Sequence, residues 1–255
     1  MKSIDLNCDM GEMPEDVAGG AQEALMPFLS SVNIACGGHA GDEFTMRTTV
    51  EQALRRNLAI GAHPGYPDCA NFGRLELSLP QDAIAATVFE QVSRLAEIAA
   101  KCGARISHVK AHGALYNQAA RDAAIAEAIA IGVARWRRDV VLVGLAGSPT
   151  LDVFRRAGFA VAAEAFADRR YEPDGSLRSR KFADALILDP SEAAAQALRV
   201  AENGSVIARD GTEIRASAQT ICIHGDTPGA VKIAAAVAQR LTDARVALRP
   251  LAKLS

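Results

Sequence analysis

The sequence predicts an α/β fold, parallel strands alternating with covering helices, and three observations carry that expectation. Short, partly β-branched apolar runs recur along the chain. Longer segments with helical spacing lie between most of them. No composition break divides the 255 residues, and strand–helix alternation of this kind implies a parallel sheet. The runs are Ser3–Cys8, Val32–Cys36, Ala59–Ala62, Ile106–Lys110, Val140–Leu145, Phe159–Ala163 and Thr220–His224. After the second run, Asp42 is a helix N-cap candidate followed by Met46, Val50, Ala53 and Leu54 at helical spacing,. After the third, Ile84, Val88, Val92, Leu95 and Ile98 mark one face of a longer helix,. Arg169 to Arg180 is polar and contains Pro173-Asp174-Gly175, a turn signal, so it reads as a long loop and a candidate flap,. The last helix is expected to start at Thr227-Pro228, with Thr as N-cap and Pro at N1,. These units read as one α/β domain over residues 1–255. The pattern alone fits a closed barrel or an open doubly wound sheet equally.

A mass of 26.8 kDa scales to about 10,800 Å² of folded surface, which hides roughly 70% of the extended chain. That is enough for a sizeable core without disulfides or a structural metal. A net charge of −2 leaves no electrostatic footprint for nucleic acid or an anionic membrane. The longest uncharged apolar run, Val140 to Leu151, is interrupted by Gly144, Gly147, Ser148 and Pro149, and reads as a strand and a loop rather than a membrane span,. The opening residues carry one Lys, early acids and no apolar stretch, unlike a secretory signal,. Five cysteines without a C-x-x-C pair argue for reduced thiols and a cytoplasmic setting,.

Function is signalled by which strand positions are polar. Side chains alternate faces along a strand, so Asp5, Asn7 and Asp9 oppose Ile4, Leu6 and Cys8. By the same rule Asn33, and His39 beyond it, oppose Ile34 and Cys36; Gly61 and His63 oppose Ile60 and Ala62; His108, Lys110 and His112 oppose Val109. The sixth run leads to Glu164 and the seventh ends at His224 and Asp226. Helix-covered parallel sheets are normally apolar on both faces. Here one face is repeatedly polar and all five histidines fall on or just beyond it. Burying such a set without function would cost several kcal/mol, so the polar face is expected to line a catalytic pocket at the C-terminal ends of barrel strands. A buried polar network that sets strand register is the competing reading for any single position.

Six segments, Ile4–Glu12 (IDLNCDMGE), Asn33–Asp42 (NIACGGHAGD), Gly61–Asp68 (GAHPGYPD), His108–Asn117 (HVKAHGALYN), Glu164–Gly175 (EAFADRRYEPDG) and Cys222–Val231 (CIHGDTPGAV), resemble the LamB/YcsF family in content and order. The resemblance implies a seven-stranded β/α barrel, TIM-like and similar to glycoside hydrolase and deacetylase barrels. It also implies ATP-dependent hydrolytic opening of a cyclic amide, 5-oxo-L-proline, to L-glutamate, together with 5-oxoprolinase subunits B and C. Three positions depart from the family pattern: Ala111 stands where a Pro is usual, Gly38 where an aromatic commonly precedes His39, and Leu75 where a second Arg follows Arg74.

An unstrained amide opens when ATP phosphorylates its oxygen or when a metal polarises the carbonyl and activates water. The chain has no G-x-x-x-x-G-K-[ST] loop,, so ATP is expected on the partner subunits and hydrolysis on this chain. Lys110 is a candidate for stabilising a developing oxyanion, or else the cation of an ion pair with Asp5 or Glu164. Asp9, His63, His112 and Glu164 are candidate acids and bases,. Asn7, Arg74, Arg169, His224 and Asp226 are candidate substrate contacts; the two arginines are suited to clamping a carboxylate, or are plain surface charges,. Asp9, His39 and His112 are a candidate set for a divalent metal such as Zn²⁺ or Mn²⁺,. Two other readings remain: a stand-alone metal-dependent deacetylase or amidohydrolase, and a non-catalytic small-molecule-binding subunit. Self-association into a homo-oligomer stays open.

Overall fold

The computed structural model describes residues 2–251. Seven parallel strands close into a barrel: β1 (Ser3–Met10), β2 (Ser31–Ala35), β3 (Ala59–His63), β4 (Ile106–Lys110), β5 (Val141–Leu145), β6 (Ala160–Phe166) and, after the hairpin β7 (Ser205–Ile207) and β8 (Glu213–Arg215), β9 (Thr220–His224). Closure comes from β9, which pairs in parallel with both β6 and β1. A short β10 (Ala247–Leu248) extends β1 at its start. The barrel replaces the open-sheet alternative. The total accessible surface is 10838 Å², as expected for a compact chain of this mass.

Helices α1 (Pro14–Gly19), α2 (Glu43–Arg55), α3 (Gln81–Lys101), α4 (Gly113–Ala119), α5 (Ala123–Trp136), α6 (Thr150–Arg156), α7 (Pro190–Asn203) and α8 (Ala230–Asp243) follow the strands. Asp42 caps α2 as expected, accepting from the Thr45 backbone N–H while Thr45 Oγ1 accepts from the Asp42 N–H,. The last helix does not start at Thr227-Pro228. Its N-cap is Gly229 at φ +78°, and the Thr227 hydroxyl donates instead to Asp168. Turned toward Asp168, the hydroxyl accepts from no helix N–H among the described residues, and it is the Thr227 carbonyl that receives the Ala230 N–H. Strand ends shift by a few residues; β6 begins after Phe159 and continues through Glu164 to Phe166.

Ile4, Leu6 and Cys8 face outward into the apolar layer under the helices and are at most 2% exposed. The inward set forms a polar floor. Asp5 accepts from the hydroxyls of Ser30, Ser31 and Thr220. Asn7 donates to Glu164 and Thr220, and accepts from Asn33. His108 Nε2 lies 2.9 Å from Asn33 Oδ1. Gly61 makes room for that imidazole, since a Cβ there would sit 2.2 Å from His108 Nε2. Burial raises Asp5 to about 6 against the three hydroxyls that oppose it, and pushes His108 down to about 3,.

Candidate active site

The strand ends open into a cavity of about 1050 Å³ lined by Asp9, Glu12, His63, Lys110, His112 and His224, with buried Arg169 in its wall and the more exposed Arg74, Arg180 and Asp226 at its rim. Lys110, at the end of β4, is 2% exposed. Its ammonium lies 2.9 Å from Asp9 Oδ1, 3.0 Å from Glu164 Oε1 and 3.1 Å from Cys222 Sγ. Its ion pairs are thus with Asp9 and Glu164, not Asp5. Burial alone would discharge it, but the carboxylates of Asp9 and Glu164 keep it charged. Burial would likewise protonate Asp9, yet His63 and Lys110 hold it well below the carboxylate range,.

Beside this centre four side chains converge. Glu12 Oε1 lies 3.0 Å from His39 Nε2, 3.2 Å from His112 Nδ1 and 3.9 Å from His63 Nε2. His63 Nε2 is 3.0 Å from His112 Nδ1 and 3.2 Å from Asp9 Oδ2. The outer nitrogens meet backbone carbonyls, His63 Nδ1 at Lys110 (2.8 Å) and His112 Nε2 at Phe72 (2.9 Å). Burial lowers His39 to about 4 and lowers His112 as well; burial would raise Glu12, but His112 and His39 hold it far below its ordinary value. Glu12, His39, His63 and His112 form a group able to hold a metal ion. Of the expected Asp9, His39 and His112, the two histidines fall in this group and Glu12 and His63 join them, while Asp9 borders it with Oδ1 on Lys110 and Oδ2 toward His63.

The opposite wall carries a dyad. Asp168, fully buried past the end of β6, accepts from the His224 backbone N–H (3.0 Å), from His224 Nδ1–H (2.9 Å) and from Thr227 Oγ1 (2.6 Å). Burial opposes its charge, but His224 and Thr227 bring Asp168 down to about 2. The His224 ring stacks on Phe166 at 5.5 Å, and its Nε2 has no hydrogen bond within the protein among the described residues. Arg169 is 6% exposed, and its terminal nitrogen donates to the Arg178 carbonyl while its Nε has no partner among the described residues. It is not the surface charge that its place in a loop allowed. Arg74 and Arg180 both pair with Asp226 across the mouth.

Three expected site residues stand back from the pocket. Asn7 spends its polar atoms in the floor, and Glu164 lies behind Lys110 with no exposure. His39 sits behind Glu12 at 1% exposure. Sequence reasoning missed Glu12, Asp168, Cys222 and Arg180. Cys222 was open to discovery, since it shares the inward face of β9 with Thr220 and His224. The departure at Gly38 also has a physical setting: a Cβ there would fall 2.3 Å from the Gln91 side chain, which holds both backbone groups of Gly65.

The chain matches the LamB/YcsF family over residues 4–255. It is 50% identical over 249 residues to the A-subunit of 5-oxoprolinase from Chloroflexus aggregans, covering 98% of this chain and 99% of that one. The crystal structure of the lactam utilization protein of Thermus thermophilus superposes with a TM-score of 0.90 at 40% identity, covering 98% of this chain and 100% of that one. A deacetylase solved with its substrate shares the fold alone, with a TM-score of 0.50 and 15% identity over 98% of this chain and 88% of that one.

Proposed function

Because the chain belongs to the LamB/YcsF family, we propose that it is the ring-opening component of a 5-oxoprolinase, hydrolysing the 5-oxo-L-proline lactam to L-glutamate. ATP is consumed with partner subunits B and C, which bind the nucleotide. The observation that carries this reading is the set of groups facing one pocket: a buried ammonium at Lys110, a buried guanidinium with a free Nε at Arg169, and the oriented Asp168–His224 pair.

The substrate is a small anion with one amide bond. Arg169 Nε–H and the rim arginines take its carboxylate. ATP held by the partner subunits phosphorylates the lactam oxygen, water adds to the lactam carbon, and the ring nitrogen leaves with a proton. A second water releases phosphate from the resulting acyl phosphate to give glutamate. His224 donates Nδ1–H to Asp168, which fixes the tautomer and leaves the Nε2 lone pair toward the cavity,. That nitrogen accepts the water proton and returns it to the departing amine. Two donors of Lys110 are committed to carboxylates, while the third meets Cys222 sulfur, a weak acceptor,. A developing oxyanion displaces that contact and takes the donor.

The Glu12 and histidine group favours a second reading, amide hydrolysis by the isolated chain without ATP,. Turnover of 5-oxoproline separates the two. Glutamate is expected only when ATP and subunits B and C are all present. Release by the isolated chain without ATP selects the second reading, and no release by the full assembly removes the first.

A further inference from the structure

We infer that Glu12, His63 and His112 form a site for one divalent transition-metal ion, with His39 holding Glu12 from behind. The placement of the cluster's protons points to it. A backbone carbonyl only accepts, so His63 carries its proton on Nδ1, toward Lys110 O, and His112 carries its own on Nε2, toward Phe72 O,. Two lone pairs are then left facing each other, His63 Nε2 and His112 Nδ1, at 3.0 Å. Glu12 Oε1, also an acceptor, stands 3.2 and 3.9 Å from them. These three acceptors, with Asp9 Oδ2 beside them at 3.2 Å from His63 Nε2, share one buried spot that a cation would satisfy. A shared proton joins one pair only, whereas a metal ion joins all three.

The spacing fits an ion. Bonds of 2.0–2.1 Å in tetrahedral geometry place neighbouring donors about 3.3 Å apart, within the observed range of 3.0 to 3.9 Å. The His63 and His112 rings stand at 89°, so both in-plane lone pairs can reach one point. The His39 and His112 rings are instead parallel at 3.5 Å, and an ion in the plane of one lies off the plane of the other. His39 Nε2–H therefore donates to Glu12 and orients it,. Two imidazoles and one carboxylate suit Zn²⁺, Mn²⁺ or Fe²⁺ better than Mg²⁺ or Ca²⁺. Glu12, His63 and His112 all line the cavity, so the remaining coordination positions open toward substrate. Bound there, such an ion supplies Lewis-acid polarisation and an acidified water.

The test uses the full chain, stripped by chelator and titrated with Zn²⁺ by calorimetry and with Co²⁺ by visible absorption. One ion per chain is expected, with a Co²⁺ d–d spectrum. Glu12→Gln and His112→Asn are each expected to weaken Zn²⁺ binding at least 100-fold, and His39→Asn about 10-fold, the smaller effect of a residue behind a ligand. Nitrogen-15 spectra of the wild-type imidazoles give a readout free of folding effects. Zn²⁺ is expected to move His63 Nε2 and His112 Nδ1 while His39 keeps its Nε2 proton. Failure to bind one equivalent, unchanged His63 and His112 resonances, or a folded Glu12→Gln protein with wild-type affinity overturns the site.

Discussion

The floor and the mouth of the barrel are built from the same residue types but are satisfied differently. On the floor, Asp5, Asn7, Asn33 and Thr220 find donors and acceptors among themselves, and Lys110 neutralises Asp9 and Glu164, leaving Glu164 Oε2 without a hydrogen bond among the described residues. At the mouth, acceptors face one another at His63, His112 and Glu12, and neither His224 Nε2 nor Arg169 Nε has a partner among the described residues. Closed networks fix a strand register, while open ones wait for a ligand. Polar residues in a barrel are therefore sorted by whether their hydrogen-bonding capacity is used up within the protein.

Lys110→Met breaks the comparison most severely. It strips the cation from two buried carboxylates, a change that costs about 3–5 kcal/mol. The melting temperature is expected to drop by roughly 10 °C, along with a loss of turnover. An unchanged melting temperature would show that the floor is not held by charge pairing.

His112→Ala touches the mouth and is expected to do the reverse. Turnover in the reconstituted assembly falls on the order of 100-fold or more, with the melting temperature nearly kept. A large stability loss here would move His112 into the structural network.

The two buried aspartates sharpen the contrast through pH. Asp5 sits at about 6, above its ordinary 3.8. The folded state therefore keeps a proton the unfolded chain has lost, and stability falls on the order of 3 kcal/mol as pH rises from about 4 to 6. Asp168 sits at about 2, below 3.8. Its contribution, on the order of 2 kcal/mol, is present above about pH 4 and is lost as pH falls toward 2. Urea unfolding of wild type, Asp5→Asn and Asp168→Asn across this range reads both slopes. Identical pH profiles for wild type and either variant would contradict that assignment.

The smallest effect is expected from Arg180→Ala. Its pairing with Asp226 is partly exposed, so stability should change by under about 1 kcal/mol. A rise in KM without a fall in kcat is the outcome expected if this rim arginine gathers the substrate carboxylate.

Alternation made part of this legible in the chain alone. Because side chains switch faces at every residue, Asp5, Asn7 and Asp9 had to share a side, as did His108, Lys110 and His112, and that side had to be something other than helix-covered core. The family motifs added the barrel, which alternation left open. The rule ends where the strands end. Glu12 lies beyond Gly11, whose φ of +75° turns the chain out of β geometry,, so no periodicity reports where Glu12 points. Asp168 and Arg180 likewise follow β6 in irregular backbone. Which partners meet was decided by closure: pairing of β1 with β9 sets Asp9 opposite His224, and pairing of β6 with β9 sets Glu164 opposite Thr220. Strand spacing and barrel radius fix those distances across 215 residues of chain for the first pair and 56 for the second,. The polar face could be read from residue order, since it is a local consequence of backbone geometry. Which polar groups are satisfied, and which are left facing one another, emerged only on folding, because their hydrogen-bond partners come from strands far apart in the chain.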